Sequence, residues 1–299
     1  MLQSPKSWDT QDFVTARWSS GIVTAAMVTG CMLFAQFASA AVLPVTTDLE
    51  LRLDASDDGS LTLSGSNVEA WEDSSVHMHS RSVSQGTGSL QPEAVPNASP
   101  NDLQVVRFDS DTLASGPTLD TIVDADGYTI FAAFRVDSVT SNEPNAWNNE
   151  GIFSDNSGFL GLHLRDDSGT PLLQAYHWDG GAKVAAQEVE LGEFVVVTMW
   201  YDGSTLNSQF LGGPVASVSA GDISGSWNAR TLQLGRRAGT VATTNFFDGD
   251  LGELVFYDTT LDAADRAAVA AHLGAKWLPE PGSVALLILG GACLLGRRR

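Results

Sequence analysis

Phe194-Val195-Val196-Val197-Thr198-Met199-Trp200-Tyr201, followed by Asp202-Gly203-Ser204, decides how this chain is read. Apart from Thr198 the segment is apolar on both alternating faces, as a strand covered by layers on either side must be. The Asp-Gly-Ser that ends it is turn chemistry. Working outward, Leu49-Glu50-Leu51-Arg52-Leu53 alternates strictly, and Tyr128 to Val136 puts Tyr128, Ile130, Ala132, Phe134 and Val136 on one face. Shorter strands are expected at Val105–Phe108, Phe159–Leu164, Leu172–Trp178, Leu206–Leu211, Thr231–Leu234 and Leu254–Tyr257. Asp166-Asp167-Ser168-Gly169 and Asp179-Gly180-Gly181 punctuate them as turns. Ser82 to Asp102, rich in Ser, Gly, Asn and Pro, reads as the most flexible segment. The one convincing helix begins at Asp262, a capping residue, and carries Val269, Leu273 and Trp277 as a stripe. Trp277 completes that stripe and is expected to dock the helix, while Trp71 and Trp200, inside strand patterns, are expected in the core.

Composition narrows the function classes. The chain has 36 Asp and Glu against 16 Lys and Arg. Asp9 and Asp12, and Lys6, Arg17, Arg297, Arg298 and Arg299, lie outside residues 41–281, so that body keeps 34 acids against 11 bases, a net charge of −23. Such a surface disfavours a nucleic-acid partner, which needs clustered bases to displace counterions. Both cysteines, Cys31 and Cys293, fall in the apolar ends, leaving no disulfide, thiolate cluster or cysteine nucleophile in the body.

The two ends read as addresses. Ile22 to Phe37 is nearly all apolar, follows Arg17 and ends in Ala38-Ser39-Ala40 before Ala41. This is a secretory signal over residues 1–40 with an Ala-x-Ala cleavage site. An uncleaved anchor is the weaker alternative, since the run is shorter than the roughly 20 residues that span a bilayer. Lipid attachment at Cys31 is weaker still, because the apolar run continues past it. At the other end, Pro279-Glu280-Pro281 precedes an apolar run from Val284 to Leu295 and then Arg297, Arg298 and Arg299. The prolines keep the chain extended and accessible, the apolar run partitions into the membrane, and the arginines hold the tail on the cytoplasmic side. This tripartite tail, residues 278–299, resembles the PEP-CTERM sorting signal of exopolysaccharide-producing Gram-negative bacteria. That resemblance implies an exosortase-type processing enzyme as partner, transient insertion in the inner membrane, and a destination at the cell surface or in the extracellular matrix.

Between the ends, the order of motifs is recognisable. Leu51-Arg52-Leu53-Asp54-Ala55-Ser56, Val68-Glu69-Ala70-Trp71-Glu72-Asp73-Ser74, Gln91-Pro92 and Val105-Val106-Arg107-Phe108-Asp109 form its front half. The Phe194–Gly203 segment, Leu232-Gln233-Leu234-Gly235, Phe247 to Tyr257 and Leu261 to Trp277 form its rear half. Together, over residues 41–277, they resemble a concanavalin A-like, LamG-type domain of bacterial exported proteins. Arg52 stands where that family typically has Trp, and Asp109-Ser110-Asp111 where it often has Asp-Gly. The resemblance implies an all-β, antiparallel jelly-roll β-sandwich with one C-terminal helix, flanked here by the signal peptide and membrane tail.

Fold does not decide function, so sites are weighed separately. Asp248-Gly249-Asp250-Leu251-Gly252-Glu253 has the spacing of the catalytic acids of laminarinase-type hydrolases of this fold. A retaining glycosidase needs its two carboxyl groups about 5 Å apart. Asp248 is a short side chain for that role, and regular alternation places Glu253 on the face opposite Asp250 unless a bulge intervenes. Calcium is the candidate cofactor, with Asp155, Asp166, Asp248 and Asp250 as candidate ligands from loops, although each also suits a solvated turn. His77, His79, His163, His177 and His272 show no metal-ligand spacing. Trp147, Trp178 and Trp227, each beside polar turn residues, are the candidates for stacking on sugar rings, with packing beneath loops as the competing reading. The expectation is an exported, non-catalytic domain with a polysaccharide partner. A hydrolase or lyase of the same fold and a purely structural matrix protein are the alternatives. At a net charge of −23, an acidic polymer is expected to need calcium as a bridge, and a neutral glycan only stacking and hydrogen bonds.

Overall fold

The computed structural model describes residues 42–57, 59–76, 81–141, 149–223, 227–237 and 246–279. In chain order the strands are β1 (Leu49–Asp54), β2 (Leu61–Ser64), β3 (Asn67–Trp71), β4 (Val83–Ser84), β5 (Glu93–Val95), β6 (Val105–Asp109), β7 (Tyr128–Ser138), β8 (Glu150–Asp155), β9 (Leu160–Asp167), β10 (Thr170–Trp178), β11 (Ala182–Glu188), β12 (Phe194–Tyr201), β13 (Thr205–Phe210), β14 (Val215–Ser219), β15 (Leu232–Leu234) and β16 (Asp248–Tyr257), followed by helix α1 (Ala263–Trp277). They form two antiparallel sheets. The larger runs β14-β13-β12-β7-β16-β6-β5-β3-β2, with β1 against β16 and β4 against β3; the smaller runs β11-β10-β9-β8-β15.

β16 organises the large sheet. One edge pairs with β7 along nearly its whole length, while the other is shared, Asp248–Leu251 with β6 and Glu253–Tyr257 with β1. The sheets meet through inward side chains: Phe153 of β8 sits edge-on to Phe256 of β16 with ring centroids 5.3 Å apart. At one end His177 of β10 packs between Tyr128 and Tyr201, and its Nδ1 lies 2.9 Å from the Tyr128 hydroxyl. His177 Nε2 faces the Gly221 carbonyl at 2.7 Å, an acceptor only, so Nε2 carries the proton and Nδ1 accepts from Tyr128. Burial holds this imidazole below its ordinary pKa.

Helix α1 forms a third layer on the outer face of the large sheet, over β12 and β7. Asp262 caps it as expected, its carboxylate accepting from the Ala264 and Asp265 amides at 2.8 Å each. Val269, Leu273 and Trp277 are fully buried, Trp277 stacks on Phe194, and the Arg266 guanidinium covers Trp200 at 4.3 Å. Trp71 is also fully buried and Trp200 nearly so. The Ser82–Asp102 stretch holds β4, β5 and a 3-10 turn at Gly88–Leu90. Among the described residues no helix is long and apolar enough to cross a membrane.

Candidate functional site

The acidic stretch forms the first half of β16, and its register shifts between Leu251 and Glu253. Leu251 pairs with Phe134 and Glu253 with Ala133, so the extra residue, Gly252, returns Glu253 to the face of Asp250. Gly252 is required there because a Cβ would lie 2.7 Å from the Trp277 ring. Both carboxylates are buried and held by cations. Asp250 receives Arg107 at 2.8 and 3.0 Å and Arg135 at 2.9 Å. Glu253 receives Arg52 Nε at 2.7 Å, Lys276 Nζ at 2.7 Å and the Trp277 indole N–H at 2.9 Å. Asp54 joins this network through Arg52 and Lys276. Burial pushes the Asp54 pKa up, but Lys276 and Arg52 outweigh it and hold the carboxyl below its ordinary value.

The outer face of the small sheet is built differently. Leu160, Leu162, Leu164, Leu173, Ala175 and His177 occupy the inward positions of β9 and β10, so alternation sends Phe159, Gly161, His163, Gln174, Tyr176 and Trp178 outward. His163 and Gln174 are register partners, and Asn149 Nδ2 reaches Gln174 Oε1 at 2.5 Å. His163 is fully buried, and burial, then the Arg237 charge, holds its pKa well below the usual imidazole value. Gly151 lets the Arg236-Arg237 backbone lie on the sheet, since a Cβ there would meet Arg237 N at 2.5 Å. The Arg237 guanidinium then lies 5.1 Å from the Tyr176 ring, and burial lowers its pKa to about 10.

At the end of this face the aromatic side chains come partly into solvent. The Trp178 amide donates to the Phe159 carbonyl at 2.9 Å, and both side chains are half-buried. The Arg230 guanidinium lies 5.7 Å from the Phe159 ring, and the Arg230 amide donates to the carbonyl of Trp227, also half-buried, at 2.9 Å. Arg230 thus ties the Trp227 turn to Phe159, whose backbone pairs with Trp178; Phe159 and Trp227 also pack against the hydrophobic core, as the competing reading of Trp227 expects, and sequence reasoning singled out neither Phe159 nor Arg230. The Leu160-x-Leu162-x-Leu164 alternation carried the signal for Phe159; Arg230 had none, since its partner ring is 71 residues away.

The candidate calcium ligands do not converge. Asp155 is fully buried and spends both oxygens on the turn after β8, accepting from the amides of Ser157 at 2.7 Å, Phe159 at 2.5 Å and Leu160 at 2.7 Å. Asp166 closes the β9–β10 turn on the Gly169 amide at 2.7 Å. Asp248 accepts from the Ser138 hydroxyl at 2.5 Å, and Asp250 is held by its two arginines. Among the described residues no group of three or more His, Cys, Asp or Glu is placed to hold a metal ion. Pro279 is exposed at the end of the described chain. Trp147, His77, His79, Ala38, Ala40, Ala41, Glu280, Pro281 and Arg297 to Arg299 lie outside the described residues.

Residues 109–265 match the model of the family described as the concanavalin A-like lectin/glucanases superfamily. Among solved structures, Trypanosoma rangeli sialidase, in complex with a difluoro-KDN, superposes with a TM-score of 0.52 at 14% identity, over 78% of this chain and 33% of the sialidase. This chain thus spans about a third of that protein. Domain 4 of an extracellular arabinanase from Geobacillus stearothermophilus, in complex with arabinotriose, matches at a TM-score of 0.44 and 13% identity, over 74% of this chain and 98% of that domain. No curated protein matches the sequence.

Proposed function

The chain belongs to the concanavalin A-like lectin/glucanases superfamily, and we propose that within it this protein is a non-catalytic, glycan-binding domain exported by a Gram-negative bacterium. In this reading residues 1–40 direct export, and the PEP-CTERM-like tail, residues 278–299, is cut by an exosortase-type enzyme, leaving the sandwich at the cell surface or in the extracellular polysaccharide matrix. The observation that carries it is the half-exposed Phe159–Trp178 pair on the small sheet, flanked by Trp227 and Arg230. Flat aromatic faces presented beside polar groups are what a sugar ring stacks on.

The competing reading is hydrolysis at Asp250 and Glu253, and the bulge at Gly252 favours it by placing the two on one face. The arginines, Lys276 and the covering helix weigh against it, because a nucleophile or general acid must reach substrate. A glycan array on wild type, Trp178→Ala and Trp227→Ala, alongside a reducing-sugar assay on β-glucans, galactans and alginate-type polymers, tests both readings. Binding that weakens in the tryptophan variants, without sugar release, is expected. A blank array would end the glycan-binding reading, and turnover abolished by Asp250→Asn or Glu253→Gln would replace it with the hydrolase. For the tail, mass spectrometry of protein from the native host should find Arg297 to Arg299 removed, and retained when Pro279 and Pro281 are replaced by alanine.

A further inference from the structure

Most bases of the body meet carboxylates: Arg52, Arg81, Arg107, Arg135 and Lys276 in or beside the large sheet, and Arg165 and Lys183 in the small sheet. Arg266 lies over Trp200 on the large-sheet side, and Arg230, Arg236 and Arg237, within an eight-residue stretch flanking the small sheet, lie over the rings of Phe159, Phe246 and Tyr176. Arg230 is the half-buried one beside the aromatic end, and its Nε is buried without a hydrogen-bond partner among the described residues. With Nε buried, the terminal Nη groups of the guanidinium are the ones that can meet a planar carboxylate in a fork. Phe159 and Trp178 beside it offer an apolar surface of the kind a pyranose face covers.

We infer that the surface formed by Phe159, Trp178 and Arg230 takes a carboxylate-bearing sugar, a uronate, by direct contact with Arg230 and without a bridging cation. The inference rests on the glycan-binding reading and names its ligand class. It replaces the expectation from net charge alone: a body at −23 repels a polyanion at long range, but the contact is decided by the charge at the site, where an arginine rather than a carboxylate faces the ring. The described carboxylates do not form a calcium site that would serve as the bridge.

A matched pair of probes tests this. Tri-galacturonate and galactotriose differ at C6, carboxylate against hydroxymethyl, and calorimetry on the full chain in the presence of chelator compares them. Tri-galacturonate should bind at least tenfold tighter. Arg230→Gln should bring the two within about twofold by weakening tri-galacturonate far more than galactotriose, whereas Trp178→Ala should weaken both by a similar factor. Arg230→Lys, which keeps the charge and loses the fork, should reduce the preference at least threefold, and it carries the test if the glutamine variant fails to fold by circular dichroism. Equal binding of the probes, a preference untouched by Arg230→Gln, or acidic binding that vanishes with chelator would overturn the uronate inference. The glycan-binding reading would survive any of these, and it falls only if the neutral glycan array is blank as well.

Discussion

On the outer face of the large sheet, Asp54, Asp250 and Glu253 are each matched by basic groups at 2.5 to 3.0 Å and are buried, Glu253 in contact with Trp277 of α1. On the outer face of the small sheet, three arginines rest on aromatic rings, and the rings at its end are half-exposed. Both faces belong to one sandwich and use the same residue types. They differ in where the charge goes: in the first, carboxylates and bases complete one another and α1 covers Glu253; in the second, the Arg230 guanidinium lies over the Phe159 ring, a contact that leaves its buried Nε without a hydrogen-bond partner among the described residues. On the proposed reading, the carboxylate-rich strand serves the fold, while the arginine on a half-exposed ring serves a ligand.

The comparison is most exposed to failure at Glu253. Glu253→Ala leaves Arg52, Lys276 and the Trp277 indole around a vacancy, and breaking a buried pair from one side costs about 3–5 kcal/mol. Urea unfolding of the variant measures it, and a loss below about 1 kcal/mol would mean that the network is not what holds the helix to β16. Next in size is Gly252→Ala. Its methyl would sit 2.7 Å from the Trp277 ring, and overpacking of this kind costs about 1–3 kcal/mol. Near-ultraviolet dichroism should report the displaced indole; an unchanged tryptophan signal and midpoint would show that the bulge tolerates a side chain and that Gly252 does not fix the register.

The fold should also respond to acid in stages. His163 and His177 in the small sheet, and His272 in α1, are held below the ordinary imidazole value, first by burial. The unfolded chain therefore takes up protons at about pH 6.5 that the fold refuses, so their contribution is present above that value and lost as pH falls below it. Asp54, in the large sheet, is held below the ordinary carboxylate value, so its contribution is present above about pH 3.8 and lost as pH falls through its folded value. Burial raises Glu150 and Asp155, which take up protons earlier in the fold and return some stability between these windows. Urea midpoints across pH 7.5 to about 2 should thus fall in two stages, with His177→Gln shrinking the first and Asp54→Asn the second. A first stage of full size in His177→Gln would detach the histidine from acid sensitivity.

Much of the fold was legible because burial leaves a periodic trace. β12 begins and ends where the doubly apolar run Phe194–Tyr201 does, and α1 starts after the Asp262 cap and ends on Trp277. β2, β4, β5, β8, β11 and β14 were not foreseen, for different reasons; β4 and β5 are two and three residues long and fall in the Ser82–Asp102 stretch that was read as flexible. β2, β11 and β14 are edge strands whose side chains are largely exposed or half-buried, so Leu61–Ser64, Ala182–Glu188 and Val215–Ser219 carry weak apolar alternation. β8, Glu-Gly-Ile-Phe-Ser-Asp, is buried throughout, but a register shift between Gly151 and Phe153 breaks its alternation. The same kind of shift at Gly252 moves Glu253 to the face of Asp250. Arg52, which departs from the usual family residue, has its reason in Glu253, 201 positions away. Trp178 and Trp227 were legible as candidates, but their shared neighbourhood with Phe159 and Arg230 depends on the loop before β15 folding back onto β9, which no local pattern records.

The smallest expected effect is the one that separates the two faces most cleanly. Arg230→Gln removes a half-buried guanidinium whose favourable contact with Phe159 is worth about 0.5–1 kcal/mol at a site of this exposure. Against that, the substitution also removes a buried Nε that lacks a hydrogen-bond partner among the described residues, a group whose desolvation costs roughly 1–3 kcal/mol. The two oppose each other, so the urea midpoint should not fall by more than the equivalent of about 0.5 kcal/mol. Arg52→Gln, on the other face, strands Glu253 and Asp54 with Lys276 alone and should cost several times as much. Measured side by side, equal losses for the two arginine variants would mean that the fold depends on Arg230 no less than on Arg52, and the small-sheet face would lose its claim to spare charge.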